Sequence, residues 1–183
     1  MRRGSVVLIA LTAAASLFEG SPTIVAQAAL EDKIKAAIVS KFPQFVEWPV
    51  TAFTGRASID LCVVAADPIE SDLAELVSGE TLDGRPIAVR SIDREPDLQG
   101  CHLLFMRSTA IVRHRSILLK AATLPVLTVS DGQQFLDDGG IVRLRQVDGR
   151  MRFDVNAMAA QKAGLRISSQ LLQLALTVRG GPR

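Results

Sequence analysis

Apolar positions recur at three- and four-residue steps between residues 30 and 48. Leu30, Ile34, Ala37, Ile38, Phe42 and Phe45 form one stripe, the spacing of an amphipathic helix. Lys33, Lys35 and Lys41 fall off that stripe or at its edge. Pro43 lies inside it and should kink or break the helix near Phe42, because proline removes a donor and crowds the preceding turn. Glu47-Trp48-Pro49 ends the segment. Trp48 reads as core or as a plug at the helix end, with stacking on a ligand as the alternative.

The pattern then changes. Residues 57–65 are almost continuously apolar after Asp60, the mark of a strand buried on both faces. Asp67-Pro68 is a helix start; Ile69, Leu73, Leu76 and Val77 give its stripe and Gly79 stops it. Asp83-Gly84 is a turn into a strand from Arg85 to Val89, and residues 93–100 are polar and loop-like. A strand over 101–106 follows. Ser108 or Thr109 should cap a helix with Ile111, Ile117, Leu118 and Ala121 inward. Residues 125–129 read as a strand, Ser130-Asp131-Gly132 as a turn, and 133–136 as a short helix ending at Gly139-Gly140.

Residues 141–156 carry the strongest local signal. Asp148-Gly149 is a favoured two-residue hairpin turn between β-type runs. Pairing outward sets Gln146 opposite Met151, Leu144 opposite Phe153 and Val142 opposite Val155 on an apolar, core-facing side. The other side sets Arg145 opposite Arg152 and Arg143 opposite Asp154. Asn156 should cap a helix over 157–162 that Gly164 ends. Ser168 should cap a last helix striped by Leu171, Leu174, Ala175 and Val178, followed by a tail from Arg179. Alternating strands and helices that give way to a hairpin and two helices predict an α/β fold. It is a single domain with a mixed sheet flanked by helices, a Rossmann-like layered sandwich.

The start of the chain sets the compartment. Met1-Arg2-Arg3-Gly4 is basic, residues 6–11 are apolar, and Ala26-Gln27-Ala28 is a small-x-small triplet. This order predicts a secretory signal peptide over residues 1–28, cleaved after Ala28. The apolar run falls short of the about 20 residues that span a bilayer. Residues 29–183 then form the mature domain, close to neutral once Arg2, Arg3 and Glu19 are lost from a chain of formal charge +2. Export and few aromatics argue against nucleic acid as a partner.

Export bears on Cys62 and Cys101, the two cysteines of the chain. An oxidising compartment favours a disulfide between them. A catalytic thiol, two unrelated core residues or part of a metal site are the other readings. His102 follows Cys101, but neighbours on a strand point to opposite faces, so the imidazole is poorly placed to activate that thiol. Cys62, Cys101, His102 and His114 have zinc-ligand types but no close-spaced pair. Asp137-Asp138-Gly139-Gly140 lacks the oxygen pattern of a calcium loop. No nucleophile elbow, phosphate cradle or carboxylate pair stands out, so neither metal nor cofactor is expected and a binding protein is favoured over an enzyme. Arg143, Arg145, Arg150 and Arg152 crowd the hairpin. They form either a solvated face or a face for an anion or an acidic protein.

Several stretches together resemble the YfiR family of periplasmic regulators. They are Lys35-Ala36-Ala37 and Phe45-Val46-Glu47-Trp48-Pro49; Leu61-Cys62-Val63-Val64 with Asp67-Pro68; Gly84-Arg85-Pro86-Ile87; and Cys101-His102-Leu103-Leu104-Phe105. Residues 125–131 with Phe135 and Gly139-Gly140, residues 152–156 with Ala163-Gly164-Leu165, and residues 167–172 complete the set. The resemblance implies a non-enzymatic repressor of an inner-membrane diguanylate cyclase that binds the cyclase's periplasmic sensor domain and lowers cyclic-di-GMP and biofilm formation. It implies a homodimer, sequestration by an outer-membrane lipoprotein, and a disulfide between Cys62 and Cys101. A second family cysteine pair has no counterpart, since Leu136 and Arg143 stand in that region. An accessory or ligand-binding role for another envelope sensor, such as a histidine kinase or an outer-membrane system, is the alternative function.

Overall fold

The computed structural model describes residues 22–181. Helix α1 (Pro22–Val39) leads into a 3-10 turn (Phe42–Phe45), the short strand β1 (Val46–Glu47) and a second 3-10 turn (Val50–Phe53). Strand β2 (Ile59–Val64), helix α2 (Ile69–Leu76) and strands β3 (Thr81–Leu82) and β4 (Arg85–Ile92) follow. After a 3-10 turn (Glu95–Leu98) come β5 (Cys101–Phe105), α3 (Ser108–Ile111), α4 (Arg115–Ala121) and β6 (Leu127–Ser130). The chain closes with β7 (Val142–Val147), β8 (Arg150–Asn156), α5 (Ala157–Lys162), β9 (Arg166–Ile167), α6 (Ser169–Leu174) and β10 (Thr177–Arg179).

Eight strands form one mixed sheet in the order β10-β8-β7-β6-β5-β2-β4-β3. It is parallel from β4 through β2, β5 and β6 to β7, and antiparallel in the hairpins β3–β4 and β7–β8. The α/β reading, with helices against a mixed central sheet, therefore holds. Every residue of β2 and β5 is buried. Leu61, Val63, Leu103 and Phe105 face one core with Ala36, Val39 and Leu73. Cys62, Val64, Leu104 and Met106 face the other with Ile117, Leu118 and Phe135. Each such fully buried aliphatic or aromatic side chain contributes about 2 kcal/mol. The β7–β8 register is the one expected, Leu144 against Phe153 and Arg143 against Asp154. Asp148 and Gly149 both take positive φ, 50° and 71°, as a type I′ turn requires.

The first helix departs from expectation. It ends at Val39 instead of reaching residue 48. Pro43 does not kink a continuing helix; it sits in the first positions of the separate 3-10 turn, where its missing N–H costs nothing. The inward face also differs. Lys35, Ala36 and Val39 are buried, while Leu30 is 55% and Ile34 41% exposed. Small side chains and a paired lysine, not the larger aliphatics, meet the sheet. Residues 1–21 of the expected leader lie outside the described residues, and residues 22–28 continue α1.

Elsewhere the expected single helix after Ser108 is two, α3 and α4, with Ile117, Leu118 and Ala121 inward. Residues 133–139 are turns, not a helix. The loop over 93–100 holds a 3-10 turn. The last helix stops at Leu174, and Val178 belongs instead to β10, which runs parallel to β8 and includes Arg179. Asn156 and Ser168 cap their helices by accepting from Ala159 and Leu171 N–H.

Candidate functional site

Cys62 on β2 and Cys101 on the adjacent β5 form a disulfide with Cα atoms 5.8 Å apart. Both sulfurs belong to the core beneath α4. Arg90, on β4, reaches across β2. It donates to Asp60 Oδ2 (3.2 Å), the Asp97 carbonyl (2.7 Å), the Gln99 carbonyl (2.9 Å) and Cys101 Sγ (3.2 Å). Covalent and ionic ties thus fasten the same three neighbouring strands, β4, β2 and β5.

His102 is fully buried and lies apart from Cys101, though not by simple strand alternation. The β2–β5 register shifts between Asp60 and Leu61, which sets Asp60 opposite Cys101 and Leu61 opposite Leu103. His102 is the residue passed over, in a β-bulge. Its Nδ1 accepts the Asp60 N–H at 3.0 Å, and its ring stacks on Phe53 at 4.9 Å between centroids. Burial holds the imidazole below its ordinary pKa. Trp48 is half-buried against the same ring and donates Nε1–H to the His102 carbonyl at 3.2 Å. It plugs this corner from the segment after β1, not from a helix end.

The hairpin arginines divide. Asp154 is fully buried and accepts from Arg143 Nη2 (2.6 Å) and Thr177 Oγ1 (2.6 Å), with Arg145 Nε 3.0 Å away. Burial alone would raise the Asp154 carboxyl. The Thr177 and Arg143 hydrogen bonds and the two guanidinium charges outweigh it and hold the group below the usual carboxylate range. Arg143 and Arg145 therefore serve an internal carboxylate, and only Arg150 and Arg152 of the four-arginine face stand exposed.

Two ionic clusters at the carboxyl ends of the parallel strands escaped sequence reasoning. Arg107, just after β5, is bidentate to Asp67 and donates to Asp32 of α1 at 2.9 Å; these partners hold its pKa above the ordinary arginine value. Lys35 of α1 is 4% exposed and pairs with Asp131 (2.7 Å) and Glu31 (2.8 Å). Burial works against its ammonium, but the Asp131 and Glu31 hydrogen bonds outweigh that and raise its pKa. Asp131, pushed up by burial, is brought below its ordinary value by Lys35 and the Ser108 N–H. Partners up to 96 positions apart leave no local signal. Glu31 and Lys35, four apart, were the one readable pair. The inward side of α1 is thus pinned by charge, while Leu30, Ile34 and Ala37 face solvent.

Among the described residues both cysteines are disulfide-bonded, no group of three or more metal-ligating side chains forms, and no helix is long and apolar enough to cross a membrane. The class this defines is an α/β protein whose polar groups tie the fold together and whose α1 leaves Leu30, Ile34 and Ala37 exposed. A family model described as DUF4154, YfiR/HmsC-like, matches residues 32–176, and the chain belongs to that family. The family is one of regulatory, non-catalytic periplasmic proteins. No curated protein matches the chain. Among solved structures the chain is similar to a conserved domain protein of Vibrio cholerae O1 biovar El Tor, at 11% identity and TM-score 0.48. That likeness covers 81% of this chain and 60% of the other, so the chain spans less than two thirds of that protein's length.

Proposed function

We propose that the chain is a periplasmic, non-enzymatic repressor of an inner-membrane diguanylate cyclase, acting by binding the cyclase's periplasmic sensor domain and lowering cyclic-di-GMP. The YfiR/HmsC-like match over residues 32–176 carries this reading. The disulfide supports an oxidising compartment, reached by removal of residues 1–28. The partner contact is placed on the outward face of α1. Its Leu30, Ile34 and Ala37 are exposed at helical spacing, while the opposite face is held by Lys35 and by Arg107 on Asp32. Removal of residues 1–28 leaves residues 29–39 of α1, and Lys35 and Asp32 anchor the part that carries Ile34 and Ala37, which limits the conformational entropy lost when a partner docks there. The active form is a homodimer, and an outer-membrane lipoprotein competes for the repressor.

Deletion of the gene should raise cellular cyclic-di-GMP, and affinity capture of the periplasmic form should retrieve a membrane cyclase. Unchanged cyclic-di-GMP together with capture of a histidine kinase in place of a cyclase would transfer the chain to the accessory role for another envelope sensor.

A further inference from the structure

The strand order reverses between β2 and β5. From β2 the chain moves outward to β4, then returns to the other side of β2 to lay down β5 and β6. The segments leaving β2 and β5 therefore diverge, α2 toward one core and α4 toward the other. Such a switch point opens a crevice at the carboxyl ends of the strands, the place where open α/β sheets bind ligands. Here it is a cavity of about 540 Å³ lined by Ala65, Ala66, Arg107, Thr109, Arg113 and His114, with Asp32 and Asp67 at its side. Its size suits a small molecule.

The wall chemistry narrows the ligand. Asp67 and Asp32 are both engaged by Arg107 through Nε and Nη2, which fixes that guanidinium in place. Its Nη1 has no hydrogen-bond partner among the described residues. Arg113 is exposed and forms no ion pair among them, and the His114 imidazole stands next to it. Asp67 is engaged through both oxygens and Asp32 through Oδ1, so the free donors of the crevice are Arg107 Nη1, Arg113 and His114. Ala65 and Ala66 take left-handed backbone, φ 63° and 47°, a conformation that costs an alanine about 1 kcal/mol or more. Both line the crevice with no side chain larger than a methyl group. The exposed arginines of the hairpin have no cavity beside them among those described.

We infer that this crevice is a binding site for a small organic anion, a carboxylate or a phosphate, held by Arg113, the free edge of Arg107 and His114. The inference depends on the fold and not on the identity of any protein partner. Asp32 belongs to α1, so the site borders the helix assigned to partner contact.

The test is titration calorimetry on the purified, oxidised periplasmic form, with inorganic phosphate and succinate as probes at matched ionic strength. At least one probe should bind saturably, and the stronger names the anion class. Arg113→Ala removes a charge-assisted contact and should weaken binding at least about tenfold, which is about 1.4 kcal/mol. Thr109→Trp, at the exposed mouth, should block binding while leaving the ligand-free melting temperature unchanged. No saturation by either probe up to about 10 mM, well past the weakest useful affinity, overturns the site. So does binding that neither variant alters.

Discussion

The β2–β5 ladder and the β7–β8 hairpin lie in one sheet but are secured by different means. The hairpin pairs neighbours in sequence. Asp148-Gly149 closes it, and one buried carboxylate, Asp154, draws Arg143 and Arg145 onto it from the facing strand. The parallel ladder joins segments that cannot meet through a tight turn. It carries the Cys62–Cys101 disulfide across 39 positions and Arg90 spanning Asp60, Asp97 and Gln99. Loop-closure entropy explains the contrast: long-range pairing starts from a larger deficit, and a cross-link acts mainly on that deficit. The local hairpin needs only its charges balanced.

Reduction should therefore give the largest effect. Breaking the Cys62–Cys101 bond, or Cys62→Ala with Cys101→Ala, should lower stability by up to about 4 kcal/mol, the chain-entropy value for a loop of this length. Urea unfolding of oxidised and reduced protein measures it. Coincident midpoints would show that Arg90 and packing suffice and would erase the contrast. Next in size is Asp154→Ala. It strands two guanidinium groups around a buried site and should cost about 3 kcal/mol. A cycle with Arg143→Ala tests coupling across the hairpin; additive losses would mean that Asp154 acts through Thr177 and Arg145 without Arg143.

How far the sequence discloses these regions follows the same division. The register of β7–β8, its turn and both caps were readable because each signal lies within a few residues. The α/β class followed from the alternation of periods. The strands β1, β9 and β10 span two or three residues and present no pattern. Leu30 and Ile34 pointed to the wrong face of α1, because an apolar stripe signals burial without saying whether the chain or a partner supplies it. Lys35 falls off the apolar stripe or at its edge, and its burial was not readable because its partner Asp131 is 96 positions away. The bulge at His102 is equally silent: it arises from a one-residue slip between strands, not from any turn residue.

Acid and alkali should probe the regions separately. Asp154 and Asp131 have depressed pKa values in the fold. Their contribution is complete above the unfolded carboxylate value of about 3.9 and is lost as pH falls through the folded one. His102 is also depressed, but its neutral form is the folded one. Stability should thus begin to fall earlier, as pH drops below the free imidazole value of about 6.5. Lys35 is raised, so its contribution is complete below about 10.4 and is lost as pH rises through the folded value. His102→Asn should remove the first acid limb while leaving the carboxylate limb in place. A smaller step is Asn156→Ala, which deletes the α5 cap at the end of the hairpin and should cost about 1 kcal/mol.

The smallest effect on stability should come from Leu30→Glu with Ile34→Glu. Both side chains are exposed at 55% and 41%, and surface changes of this kind shift stability by about 0.5 kcal/mol or less. The helix beneath should remain in place, because Lys35 and Asp32 hold it from the other side. Capture of the cyclase sensor domain should nevertheless be lost, since two carboxylates would be buried unpaired in an apolar contact. Unchanged melting with lost capture separates the face that binds from the groups that hold the fold. Unchanged capture would move the contact off α1, and a large fall in stability would mean that the outward face is packed within the protein itself.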